Sequence, residues 1–257
     1  MSAIMPALFV GHGSPMNAVD DNEFGRKWAS VGKTLPRPEA ILCISAHWET
    51  TGTRITAMNE PATIYDFTGF PKPLYEMKYP APGEPDLARS IKQAIPDTVI
   101  HFDFGWGLDH GAWSILGRLF PEADIPVLQL SLDFEQPPAF HYELGRKLTF
   151  LRRQGILIVG SGNMVHNLRA VVWENTAFDW ARDLDTALTE RILDGDHQTL
   201  VAYEELGDIA HLGIPTNEHF LPLLYVLALQ EPSDPISFFC EKVTLGSISM
   251  RSVRIGR

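Results

Sequence analysis

The sequence predicts an α/β domain built around a central, largely buried sheet, and three observations carry that expectation. Four short apolar runs, rich in β-branched residues and bounded by Pro or Gly, read as buried strands. Segments with a single apolar stripe at helical spacing alternate with them. The 257 residues contain no internal repeat, low-complexity tract or Gly/Ser linker, so one domain over residues 1–257 is expected.

In chain order, Ala7–Val10 (ALFV) and Ala40–Ala46 (AILCISA) are the first two strands. Glu60–Pro85 then carries Pro61, Pro71, Pro73, Pro80, Pro82 and Pro85, which exclude regular helix. The same stretch holds Tyr65, Phe67, Phe70, Tyr75 and Tyr79. A linker would be polar, so this segment reads as a long ordered loop packed on the body, and long ordered loops are often functional. Asp86–Ile95 reads as a helix, and Asp109 as the N-cap of another. Val127–Leu132 is a strand, Pro138–Arg153 a helix and Ile156–Gly160 a strand. Phe178–Leu193 is a helix whose stripe is Trp180, Leu184, Ala187, Leu188 and Ile192. Thr216 is a candidate N-cap for a helix through His219, Leu223, Leu224 and Leu227. The tail, Pro235–Ile255, alternates like strands.

Composition narrows the function. With 21 Lys+Arg against 32 Asp+Glu the net charge is −11, which argues against nucleic acid, whose binders neutralise phosphates with cations. An apolar fraction of 45% is enough to bury a core, so wholesale disorder is excluded. The run Leu221–Leu229 is far short of the roughly 20 apolar residues that span a bilayer. The N-terminal MSAIMPALFVGHGSP lacks a basic n-region, so a cytoplasmic protein without leader or membrane anchor is expected. Two cysteines, Cys43 and Cys240, are too few for a disulfide scaffold and fit a reducing compartment. Against nine histidines they also exclude a thiolate zinc site, so any metal must be held by imidazole and carboxylate.

In open α/β sheets ligands bind beyond the carboxyl ends of the strands. Here ALFV runs into Gly11-His12-Gly13-Ser14-Pro15, AILCISA into His47-Trp48, and ILIVG into Ser161 through His166. Three strands thus lead to a histidine on one edge of the sheet. A fourth, His219, lies in the first turn of its helix beside Glu218. A histidine at a strand end often serves only as a hydrogen-bonded structural residue, and GHGSP lacks the spacing of a phosphate-binding loop. Three such residues at equivalent positions are harder to explain by separate structural needs. Gly11, Gly13, Gly160 and Gly162 would let backbone and ligand approach closely. Spacing alone leaves a mononuclear metal site and a set of structural histidines both open. Asp109-His110-Gly111-Ala112-Trp113 adds a first-turn histidine facing the loop side. His101, His141, His197 and His211 are read as surface or structural. Ser14 and Ser161 sit beside histidines, but neither lies in a GxSxG elbow, which disfavours a nucleophilic triad.

The motifs GHGSPMN, SAHW, TGFPKPLYEMKYPAPG, GLDHGAW, PVLQLSLD, GSGNMVHNLR and TNEHFLPLLYVLAL, in this order from about Met5 to Ile255, have a counterpart. Together they resemble the extradiol ring-cleaving dioxygenases of the 4,5-DOPA dioxygenase type. That branch belongs to the class III superfamily, which includes the protocatechuate 4,5-dioxygenase catalytic subunit. The resemblance implies a single domain with a central mixed, mostly parallel sheet flanked by helices. It implies one divalent metal ion per chain, held by His12, His47 and His219. His166 would face the same metal, as a fourth ligand or as the catalytic acid/base, and His110 would be a second catalytic residue near the substrate oxygens. The implied reaction is insertion of O₂ into a catechol such as L-DOPA, by 4,5-cleavage to a seco-semialdehyde, within aromatic compound metabolism. Fe(II) is expected for activity, although an all-imidazole set suits Zn(II) as well. Glu218, beside His219, is a further possible ligand. The expected partners are the catechol and O₂, with no nucleic acid and no membrane; nothing in the sequence defines the oligomeric state. Two other readings stay open on the same scaffold, a zinc hydrolase and a metal-stabilised binding protein without catalysis.

Overall fold

Successive side chains of a strand point to opposite faces, and in this chain both faces are apolar. Leu8 and Val10 of β1 (Ala7–Gly11) belong to one buried layer, while Ala7 and Phe9 belong to the other. The same division separates Ile41 from Leu42 and Ile44, and Leu157 and Val159 from Ile156 and Ile158. Strands apolar on both faces need cover on both faces, which is the condition of the centre of a helix-flanked sheet. The computed structural model describes residues 4–257; the first three residues, part of the N-terminal stretch read for a leader, lie outside the described residues.

After β1 come β2 (Ala40–Thr50), β3 (Thr53–Thr56), β4 (Ile100–Asp103), β5 (Val127–Asp133), β6 (Ile156–Gly162), β7 (Ile236–Phe239), β8 (Val243–Thr244), β9 (Ile248–Ser249) and β10 (Ser252–Ile255). Eight of them form one sheet in the order β4-β3-β5-β2-β6-β1-β10-β7, and β8 and β9 form a separate ribbon. The four central strands, β5-β2-β6-β1, are mutually parallel, and antiparallel pairings appear only toward the edges. The expected α/β architecture, mixed and mostly parallel at its centre, is thus what the chain adopts. Helices α1 (Glu23–Gly32), α2 (Lys72–Glu76) and α4 (His110–Leu119) supply apolar residues to one layer. Helix α2 corrects the expectation that Glu60–Pro85 holds no regular helix, because Pro73 falls in its first turn, where no N–H is needed. The other is covered by α3 (Pro85–Ala94), α5 (Pro138–Lys147), α6 (Phe150–Arg153), α7 (Asp179–Leu193), α8 (His197–Val201), α9 (Asp208–Gly213) and α10 (Leu221–Ala228). No helix among the described residues is long and apolar enough to cross a membrane.

Several expected boundaries move, each for a physical reason. Strand β2 does not stop at Ala46 but runs on to Thr50, with a shift of register against β5 between Ile44 and Glu49. Irregularities of this kind re-aim side chains, and His47 lies within this one. The expected helix Pro138–Arg153 is two helices, because the chain tightens to i→i+3 bonds at Leu148, Leu151 and Arg152. That turn carries the buried Arg152 guanidinium onto the carbonyls of Met5 and Leu229 and the carboxylate of Asp234. The short strands β3 and β4, and the division of the tail, were not legible in the pattern; TRIT and IHFD mix polar residues into four-residue segments.

The helix expected to begin at Thr216 begins at Leu221, so His219 precedes it and Thr216 caps nothing there; its hydroxyl donates to Glu218. The cause lies in the backbone of His219. Its carbonyl accepts from the Asn163 N–H at 2.8 Å, and the residue three positions on is Pro222, which has no N–H to offer. Asn163 can reach that carbonyl only because β6 carries glycine on the facing side. A Cβ on Gly160 would lie 2.5 Å from the Pro222 oxygen, and one on Gly162 would lie 2.1 Å from the His219 oxygen. Of the backbone and ligand expected to approach these glycines, it is backbone that lies against Gly160 and Gly162. Gly162→Ala should cost about 2 kcal/mol through overpacking, seen as a fall of roughly 4–8 °C in melting temperature. An unchanged melting temperature would contradict the close approach.

Candidate metal centre

The parallel strands β1, β2 and β6 present their carboxyl ends on one edge of the sheet; His12 and His166 follow from two of those ends, and His47 lies within the last residues of β2. His12 comes directly after β1, with its N–H bonded to the Gly162 carbonyl at 3.0 Å. His47 occupies the irregular part of β2, its N–H donating to Ser45 Oγ at 3.2 Å. His166 is tethered through its N–H to the Gly213 carbonyl, and His219 through the carbonyl contact already described. His110 is the first residue of α4, whose N-cap is Asp109 as expected, its carboxylate accepting from the Ala112 N–H at 3.0 Å.

All five histidines line one cavity of about 450 Å³. The ring centroids of His12, His47 and His219 stand 4.9, 5.2 and 5.0 Å apart, a nearly equilateral triangle. Three imidazoles around one tetrahedral ion, with metal–nitrogen distances of ~2.0–2.1 Å, place their centroids about 5 Å apart. The ligand atoms of His12, His47 and His110 approach within 4.8 Å of one another, and so do those of His166, Glu218 and His219. The two trios adjoin: His110 lies 3.8 Å from His47 between centroids, and His166 stacks on His219 at 3.5 Å with planes 12° apart. His101, His141, His197 and His211 lie outside the cavity, as expected.

The hydrogen-bond network selects which nitrogen of each ring is available. Ser161 Oγ donates its only proton to the Gly111 carbonyl at 2.7 Å, so toward His12 Nδ1, 2.9 Å away, it can only accept. His12 therefore carries its proton on Nδ1 and keeps a lone pair on Nε2. His219 Nδ1 donates to Glu218 Oε1 at 2.8 Å, with the same consequence. His47 Nδ1 is 3.7 Å from Asp66 Oδ2, and its Nε2 faces His12 Nε2 at 3.2 Å. His12 and His219 thus keep Nε2 free with Nδ1 turned to an outer acceptor, the usual arrangement around metal-bound histidine, and His47 completes the triangle of rings. Burial, reinforced by the neighbouring rings, holds the pKa values of His12, His47 and His219 well below the ordinary imidazole range, and burial lowers His166 to about 4. Neutral imidazoles are what a divalent cation requires. These residues fit such an ion.

Three functional partners escaped the sequence pattern. Asp66, within the aromatic Pro-rich loop, accepts from His110 twice, from the backbone N–H at 2.9 Å and from Nδ1 at 2.7 Å. Burial pushes the Asp66 carboxyl up, but its bonds from His110 outweigh this and hold it below the usual carboxylate range. Ser161, set aside as a nucleophile, is the acceptor that orients His12. Glu218 orients His219 and is itself engaged. A loop carboxylate that meets a histidine 44 residues away leaves no local signal; only the aromatic richness of the loop marked it. That loop also supplies Phe67 and Phe70 to the cavity wall, while Tyr65 and Tyr75 pack around Phe67.

The chain is similar over nearly its whole length to known proteins. An Escherichia coli (strain K12) protein named 4,5-DOPA dioxygenase extradiol is 46% identical over 263 residues, covering 99% of this chain and 96% of that protein. The Beta vulgaris protein of the same name is 38% identical, covering 86% of this chain and 85% of its own. A crystal structure of an uncharacterized Escherichia coli K12 protein superposes with a TM-score of 0.84 at 44% identity, over 98% of this chain and 100% of that one. The family described as the catalytic LigB subunit of aromatic ring-opening dioxygenase matches residues 6–246, and the chain belongs to that family.

Proposed function

We propose that the chain is an extradiol dioxygenase that opens a catechol ring beside its paired hydroxyls, at one divalent ion held by His12, His47 and His219. The observation that carries this reading is the triangle of His12, His47 and His219 rings, 4.9, 5.2 and 5.0 Å apart between centroids, in which the Nδ1 atoms of His12 and His219 are hydrogen-bonded to Ser161 and Glu218. A redox-active ion such as Fe(II) would gather the catechol oxygens and O₂ and pass electron density from ring to O₂, a step for which Zn(II), equally suited to imidazole, has no oxidation-state change to offer.

The chain's own residues position the ring and move its protons. His110 gives its Nδ1 proton to Asp66, so Nε2 is left to accept a hydrogen bond from a catechol hydroxyl. His166, neutral in its buried setting, takes the proton that the catechol must lose and later returns it. Glu218 lies close enough to favour the imidazolium once formed. An imidazole binds a metal in its own ring plane. Two rings stacked face to face at 3.5 Å do not both direct a lone pair at one ion, which supports His166 as proton carrier rather than fourth ligand. Both cysteines are free, Cys43 buried and Cys240 half-buried, in keeping with a cytoplasmic enzyme.

Anaerobic loading with Fe(II) followed by L-DOPA or plain catechol should give oxygen uptake matched by a yellow semialdehyde, a seco-semialdehyde in the case of L-DOPA. Turnover of esters or amides with Zn(II), without oxygen demand, would replace this reading with a hydrolase; silence in both assays would leave a binding protein. His12→Ala or His47→Ala should abolish stoichiometric metal, measured by elemental analysis, whereas His166→Ala should keep most of it and lose turnover. Full metal occupancy in the first two variants would sink the ligand assignment. Asp66→Asn should retain the metal while kcat falls about 10–100-fold, since it removes the acceptor that orients His110. Wild-type kcat in that variant would show that Asp66 plays no positioning part.

A further inference from the structure

The cavity that holds the histidines is much larger than a catechol ring requires, and what fills the remainder of its lining is apolar. Beyond the five imidazoles, the polar groups lining it among the described residues are the Ser14 hydroxyl, which accepts from the Met16 N–H, and the indole N–H of Trp173. Among the described residues no Arg, Lys, Asp or Glu lines the cavity. The two nearest carboxylates, Asp66 and Glu218, are engaged by His110 and His219. The outer part is formed by Phe70, Val171, Leu245, Leu168 and Trp173. Leu168 and Trp173 are 68% and 82% exposed. Large apolar side chains left in water at the rim of a cavity mark a surface that a ligand covers.

We infer that this pocket selects catechols carrying an uncharged, apolar ring substituent over those carrying an amino-acid, amine or carboxylate group. The inference rests on the proposed ring cleavage for the location of the catechol oxygens, at the histidines; the substituent then extends toward the apolar rim. An alkyl or aryl group there exchanges water for Phe70, Val171 and Leu245, a gain of about fourfold in affinity per methylene buried. A zwitterionic side chain entering the same space loses hydration and meets no counter-charge. Arg169, next to Leu168 in sequence, is a cation beside the rim, and it is exposed and outside the lining.

The test compares catechol, 4-propylcatechol, L-DOPA and 3,4-dihydroxyphenylpropionate on the Fe(II)-loaded protein, by anaerobic calorimetry for binding and by oxygen uptake for turnover. 4-Propylcatechol should bind at least tenfold more tightly than L-DOPA and than the propionate, with kcat/KM ordered the same way. Trp173→Ser combined with Leu168→Ser should bring that ratio to within about threefold. Binding of L-DOPA as tight as that of 4-propylcatechol overturns the inference, and a selective loss of L-DOPA affinity in Arg169→Ala would name the cation responsible. If the apolar preference appears in binding while no catechol is turned over, ring cleavage fails and the specificity stands. If none of the four binds, both fail.

Discussion

Desolvating a charged side chain costs several kcal/mol even after the protein relaxes around it, and this cost governs how five imidazoles can share one cavity. Protonated, they would repel one another and each would lack water; neutral, they present lone pairs to whatever lies between them. The fold therefore has to keep them neutral and to decide which nitrogen of each bears the proton. It does so with acceptors placed behind the rings: a serine whose own proton is committed elsewhere, and two carboxylates. The low pKa values are a consequence of this burial, and neutral imidazole is the form in which histidine can hold a divalent cation.

Holding the rings in place is a matter of backbone packing as much as of side chains. His219 reaches the site on the turn before α10, while His12 and His47 come from the sheet edge. The two meet because Gly160 and Gly162 let the turn lie directly on β6, where the Asn163 N–H takes the His219 carbonyl. The α4 end is tied in similarly. Gly111 sits where a Cβ would strike Ser45 Oγ and the His47 ring, and the fully buried Asp109 accepts from Ser45, Gln129 and the Ala112 N–H. Burial raises the Asp109 carboxyl, with Asp66 adding to the rise, and these donors partly offset it.

The central strands and their histidine-bearing ends were legible because both signals are local: a run of β-branched residues, then a histidine within a few positions. The Asp109–Trp113 motif likewise marked His110 locally, and the family resemblance added the roles expected of each histidine. What was not legible depends on tertiary register. The continuation of β2 past Ala46 needs its partner β5, whose pairing resumes only at Glu49. The start of α10 at Leu221 is decided by Asn163, 56 positions before His219 in the chain. Asp66 looks like any loop aspartate until the loop folds over α4.

The site divides its labour between these two kinds of structure. Metal-facing groups stand on strand ends and helix starts, where hydrogen bonds from several elements fix them. The outer wall is borrowed from connections: the loop through Phe70, the segment holding Leu168 and Trp173, and the turn between β8 and β9 that brings Leu245. Loops tolerate exchange of side chains far better than a packed sheet edge does. A substitution at Trp173 or Leu245 meets no histidine acceptor and no strand contact of the metal-facing rings, whereas one at Ser161 or Glu218 changes the tautomer that points a lone pair inward. Chemistry and substrate choice are therefore separable in this fold, because they rest on elements of different rigidity.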